Sequence, residues 1–128
     1  MSNNTTLHLE GIQTHIVNWL KTYAINSGVK GFVIGISGGI DSALTSTLCA
    51  QTGFPVLCVE MPIHQAESHV NRANEHIYQL KSRFPNVSNE RVDLTPSFET
   101  FKNSVPTCEN EAALSLTLAN TRARLRMT

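Results

Sequence analysis

Phe32-Val33-Ile34-Gly35-Ile36-Ser37-Gly38-Gly39-Ile40-Asp41-Ser42 opens as an apolar run with β-branched residues and closes as a glycine-rich polar turn. A short, continuous apolar stretch of this kind reads as a strand buried on both faces, as in a parallel sheet. Residues 41–51 then suit a helix, so the whole stretch is strand, glycine turn and helix start. Glycines at a strand tip let backbone N–H groups approach a ligand with no Cβ in the way. The helix behind them aims its unpaired N–H groups and the positive end of its dipole at the same place. Ser37 and Ser42 add hydroxyl donors, which makes an anion site of phosphate or pyrophosphate size. Asp41 would repel a bare phosphate there, and makes sense if a hard cation such as Mg²⁺ bridges carboxylate and phosphate oxygens. Asp41 is one of only two aspartates among the 128 residues.

Outward from this turn, the chain alternates helices and strands. Ile12, Ile16, Trp19, Leu20 and Tyr23 recur at helical spacing over residues 9–26, and Gly28 is placed to stop that helix. After Gly53 and Pro55, Val56-Leu57-Cys58-Val59 makes a second buried strand. Ala66, Val70, Ala73, Ile77 and Leu80 form an amphipathic stripe over residues 65–81, and Arg91-Val92-Asp93-Leu94 reads as a weaker third strand. Thr95 and Pro96 look like an N-cap and first helical residue leading to Phe98 and Phe101. A last helix from near Glu109 carries Leu114, Leu118 and Leu125. Trp19, Phe98 and Phe101 fit helical core faces, and Cys49 and Cys58 fit packing positions. The order predicts an α/β fold, a parallel sheet flanked by helices, whose ligands bind at the carboxyl ends of the strands.

The composition narrows the function. Ten Lys+Arg balance ten Asp+Glu, which disfavours binding to nucleic acid or an anionic membrane through bulk charge. Three scattered cysteines with no C-x-x-C pair argue against a disulfide scaffold or zinc ribbon. Residues 1–10 lack the pattern of a signal peptide, and the longest apolar run is far too short to span a bilayer. A cytoplasmic protein is expected. The chain is sized for one domain over residues 1–128. Its last helix meets Thr128 without a stop signal and three strands leave exposed edges, so it is expected to be the front part of a longer protein.

The turn is neither a Walker A loop nor a dinucleotide fingerprint. Gly35-Ile36-Ser37-Gly38-Gly39 does satisfy G-x-S-x-G, the nucleophile elbow of serine hydrolases, with Ser37 as nucleophile. That fold needs an acid and then a histidine downstream, yet no histidine follows Asp93; His64, His69 and His76 precede it, with Glu60 before them. Nor does an elbow explain Asp41 and Ser42. His69 and His76 lie about 10 Å apart along a helix axis, too far to share one metal ion. They read as ordinary residues flanking the apolar stripe.

Ser37-Gly38-Gly39-Ile40-Asp41-Ser42 resembles the pyrophosphate loop of the N-type ATP pyrophosphatases, a group that includes NAD, GMP, asparagine and tRNA-lysidine synthetases. Asn120-Thr121-Arg122-Ala123-Arg124-Leu125-Arg126-Met127 resembles the N-x-x-A-R-x-R-M element of the ammonia-dependent NAD synthetases. Gly31 with the first strand, and Met61-Pro62 after the second, are similar to the same family, so the resemblance runs over residues 12–128. It implies a fold of the adenine nucleotide alpha hydrolase type, Rossmann-like. It also implies a ligase of NAD biosynthesis that adenylates the deamido-NAD carboxylate with ATP and Mg²⁺, releases pyrophosphate, and forms NAD and AMP with ammonia.

By the same resemblance, Gly35, Ile36, Ser37, Gly38, Gly39, Ile40, Asp41, Ser42 and Met61 would bind ATP, and Asp41 would hold Mg²⁺. Asn120 and Arg124, with Arg126, would bind deamido-NAD, while Arg122 reads as a solvated residue. No side chain is expected to act as nucleophile. Homodimers are implied, and with about thirty residues before the first strand no glutaminase domain is expected ahead of it, which makes free ammonia the expected donor. Many ammonia-dependent relatives carry arginine where Glu60 stands here. The other readings are a GMP-synthetase or tRNA-lysidine-synthetase type enzyme, a serine hydrolase using Ser37, or a nucleotide-binding fragment without turnover. A 128-residue piece alone is expected to have little activity.

Overall fold

The computed structural model describes residues 2–64, 66–105 and 110–127, with side chains from residue 8 onward. Eight elements alternate along it: α1 (Ser2–Ser27), β1 (Phe32–Gly35), α2 (Ile40–Gln51), β2 (Val56–Glu60), α3 (Glu67–Arg83), β3 (Val87–Arg91), α4 (Thr95–Ser104) and α5 (Glu111–Met127). Gly28 ends α1 at φ +68°, with its N–H on the Ile25 carbonyl and the Val29 N–H on that of Ala24. This left-handed cap suits glycine because it has no Cβ to clash.

The three strands are parallel in the order β1-β2-β3. Phe32 pairs with Val56, Gly35 with Val59, Val56 with Val87 and Glu60 with Arg91. One face packs against helices. Ile36, Val56, Cys58 and Val87 meet Cys49 and Ala50 of α2 and Ala73, Ile77 and Leu80 of α3, with Leu20, Phe32 and Ile34 against them. Residues that alternate along a strand point to opposite faces, so this set defines the buried side. Both cysteines pack as predicted, and of the predicted α3 stripe Ala73, Ile77 and Leu80 are buried, while Val70 is half-buried and Ala66 is exposed just ahead of the helix. Burial pushes both thiols above the ordinary cysteine pKa.

Several expectations are corrected. β1 is buried on one face only: Val33, facing away from the core, is 70% exposed. α5, toward that face, has no fully buried residue. The third strand is Val87–Arg91, not residues 91–94. Only Val87 of it is buried, so this polar edge strand shows no apolar alternation to read. Residues 92–94 do run on from it: Val92 N–H donates to the Glu60 carbonyl (2.8 Å) and Leu94 N–H to that of Pro62 (3.1 Å). α4 begins at Thr95 with Leu94 as its cap residue, and Asp93 Oδ1 accepts the Thr95 N–H at 2.9 Å. Phe98 is buried, but Trp19 is 57% exposed and stacks on Tyr23, and Phe101 is also exposed. The helical spacing of Trp19 identified a face of α1 that the described residues do not cover. Asn110 Oδ1 caps α5 through the Ala113 N–H at 3.1 Å, and the expected start at Glu109 lies outside the described residues.

Candidate nucleotide site

At the carboxyl end of β1 the chain turns into α2 through Ser37, Gly38 and Gly39. Gly38 sits at φ +88°, and a Cβ built on it would lie 2.5 Å from the His69 carbonyl oxygen of α3. The loop thus lies against α3, and only glycine fits there. Ser42 ties the loop together. Its hydroxyl donates to the Gly39 carbonyl (3.3 Å) and accepts the Ser37 N–H (3.2 Å). Since that proton is committed, the Ser37 hydroxyl is the donor in the 3.2 Å contact between the two side-chain oxygens. Ser37 Oγ in turn accepts the Gly39 N–H at 3.3 Å.

These bonds leave the Ile40, Asp41 and Ser42 amides in the first turn of α2, where a helix supplies no acceptor. Asp41 is exposed in that turn. The Ser37 hydroxyl is held by Ser42 and the Gly39 amide, neither of which is a base. A nucleophile elbow needs a histidine there. The His76 ring is instead engaged by Ser46.

A cleft of about 740 Å³ lies beside the loop, lined by Gly35, Ile36, Ser37, Val59, Met61 and Arg126 among others. That volume is within the range for small-molecule sites, and most of the lining is apolar. The cleft sits on the sheet face opposite the helical core, at the carboxyl ends of β1 and β2. Arg126 Nε donates to the Met61 carbonyl at 3.0 Å and so joins α5 to the end of β2. Burial, with Arg122 nearby, lowers the Arg126 pKa. Asn120 and Arg124 are exposed on α5 and do not line the cleft. Arg122, read from sequence as solvated, instead lies over the Phe98 ring at 5.4 Å.

Two further groups lie near the site, and the sequence pattern gave little sign of the first. Ser46, fully buried, contacts the Ser42 carbonyl (2.7 Å), the Ala43 carbonyl (3.1 Å) and His76 Nε2 (2.8 Å). Its one available signal was its position one helical turn after Ser42. Glu60, 5% exposed, turns away from the cleft toward α3. Arg91 Nη2 donates to it at 3.3 Å, and the Asn74 amide, oriented with its nitrogen facing the carboxylate, donates at 2.7 and 2.9 Å. Among the described residues, no three His, Cys, Asp or Glu side chains converge as a metal cage. Likewise no helix is long and apolar enough to cross a membrane.

Comparison with known proteins bears on this geometry. Residues 12–128 match the family model described as NAD synthase. The NH(3)-dependent NAD(+) synthetase of Methanosarcina mazei is 33% identical over 123 residues, which cover 94% of this chain and 46% of that protein. Among solved structures, the NMN synthetase of Francisella tularensis aligns with a TM-score of 0.77 at 30% identity, over 92% of this chain and 46% of that one. The NH3-dependent NAD synthetase of Campylobacter jejuni, in complex with the nitrate ion, gives 0.77 at 25% identity, over 92% and 48%. The chain thus spans just under half the length of these relatives.

Proposed function

Because the chain belongs to the NAD synthase family, we propose that it forms the ATP-pyrophosphatase part of an ammonia-dependent NAD synthetase. In this reaction the nicotinate carboxylate of deamido-NAD attacks the α-phosphorus of ATP. The bond to the β-phosphate breaks and pyrophosphate leaves. Ammonia then attacks the acyl-adenylate carbonyl, AMP departs, and the amide of NAD is formed. The substrate supplies the nucleophile, so the protein's part is positioning and charge stabilisation.

The observation that carries the reading is the loop itself. The Ile40, Asp41 and Ser42 amides and the α2 dipole face one spot where negative charge grows on the leaving pyrophosphate. The cleft beside Met61 and Val59 suits an adenine ring, within reach of the same loop. A lone exposed aspartate suits Mg²⁺, which commonly takes one or two carboxylates and completes its shell with phosphate oxygens and water. Asp41 would hold that ion, which when bound neutralises charge on the phosphates. For deamido-NAD, Asn120, Arg124 and Arg126 remain the proposed contacts, with Arg126 alone on the cleft wall. A homodimer is proposed from the family resemblance.

The test is release of pyrophosphate from ATP that requires both deamido-NAD and Mg²⁺. Release driven by xanthosine monophosphate would indicate a GMP-synthetase type instead. Likeness to the Francisella tularensis NMN synthetase supports a second reading, with nicotinate mononucleotide as acceptor. The same assay with that mononucleotide separates the two. For the 128-residue chain alone, the expected result is ATP binding with little or no turnover.

A further inference from the structure

Ser46 Oγ has three polar neighbours but only one proton. Two of them, the Ser42 and Ala43 carbonyls at 2.7 and 3.1 Å, can only accept. Were the proton given to His76, the Ser46 and Ser42 oxygens would face each other at 2.7 Å with no hydrogen between them, a repulsive contact in a fully buried place. The proton therefore goes to the carbonyls, and the 2.8 Å contact with His76 needs its hydrogen on the ring nitrogen. His76 is thus fixed as the Nε2–H form, with Nδ1 as its free acceptor.

This hydrogen bond is the far end of a chain that reaches the anion loop. His76 of α3 holds Ser46. Ser46 holds the Ser42 carbonyl, and the Ser42 side chain closes the loop on Ser37 and Gly39. The close approach of Gly38 to His69 brings the same helix against the loop about two turns earlier. We infer that His76 is a positioning residue for the anion loop: as an Nε2–H donor it locks the Ser46 hydroxyl onto the first turn of α2, fixing the amides that cradle a diphosphate. The inference rests on the proposed reading of that loop. Burial holds the His76 pKa below the usual histidine value, in keeping with a neutral ring.

The experiment uses the 128-residue chain and inorganic pyrophosphate with Mg²⁺ as probe. Long-range ¹H–¹⁵N spectra at pH 8 are expected to show a protonated His76 Nε2 and a bare Nδ1. Calorimetry is expected to show pyrophosphate binding weakened about tenfold in His76→Phe, the order set by one hydrogen bond. His76→Gln, whose amide can donate from a similar position, is expected to restore binding to within about threefold. Ser46→Ala is expected to match His76→Phe, and the double variant to be no worse than either. If His76→Phe fails to fold, Ser46→Ala carries the same test. A bare Nε2, or binding by His76→Phe and Ser46→Ala within twofold of the parent, overturns the positioning role and leaves the loop reading standing. A parent chain that binds no pyrophosphate overturns both.

Discussion

Arg126 of the last helix donates its Nε hydrogen to the carbonyl of Met61, sixty-five residues earlier at the end of β2. This one bond fastens α5 across a cleft whose other wall is the start of the glycine turn after β1. α5 has no fully buried side chain to hold it, so a polar tether matters more than usual.

Arg126→Ala is therefore expected to destabilise the fold by about 1 kcal/mol, the net worth of one such bond. Urea unfolding checks this. Arg126→Lys is expected to recover little, because the bonded nitrogen is Nε and the lysine ammonium extends past that position.

Gly38→Ala tests the fit of the loop against α3. A left-handed backbone and a Cβ 2.5 Å from the His69 oxygen both oppose the substitution. The expected cost is about 1–3 kcal/mol in the urea midpoint, together with loss of pyrophosphate binding. Unchanged values for both would show that the loop is free to move.

Asp41→Asn separates folding from ligand binding. The side chain is exposed, so stability is expected to change by less than about 1 kcal/mol, the dipole contribution. The Mg²⁺ dependence of ATP affinity is expected to fall sharply. Titrations with and without Mg²⁺ measure it.

Asn74→Ala leaves Glu60 with Arg91 as its partner and removes two bonds from a buried carboxylate. A loss of about 1–3 kcal/mol is expected, since an under-satisfied buried group costs more than a missing pair. Glu60→Leu, which removes the charge itself, is expected to cost less.

Acid titration probes His76. Its folded pKa lies below the unfolded value of 6.5, so the unfolded chain binds more protons between the two. Stability from this group is full above about pH 6.5, falls as pH drops through that window, and levels off below the folded value. Urea midpoints from pH 8 to 5 are expected to decline less in His76→Gln than in the parent.

The sequence carried the glycine turn and the parallel sheet because glycine placement and apolar runs express local rules. Ser37, Gly38 and Asp41 could be placed from their neighbours in the chain alone. The cleft-facing side of β1 could not, because Val33 is apolar whether or not another element covers it. β3 escaped because Ser88, Asn89 and Glu90 belong to an edge strand whose pairing owes little to burial. The Ser46–His76 bond joins residues thirty apart on two helices, and no period in the sequence encodes it. At about 100° per residue Asn120 and Arg124 share one stripe of α5 and Arg126 lies on another, but which stripe faces the cleft depends on how α5 docks.

The central claim is that the turn after β1 receives a leaving diphosphate. Backbone amide shifts of the labelled chain, titrated with pyrophosphate and Mg²⁺, test it most directly. The account predicts that the largest shifts fall on Gly38, Gly39, Ile40, Asp41 and Ser42 and shrink in Asp41→Asn. Shifts centred elsewhere, or none at saturating pyrophosphate, would contradict it.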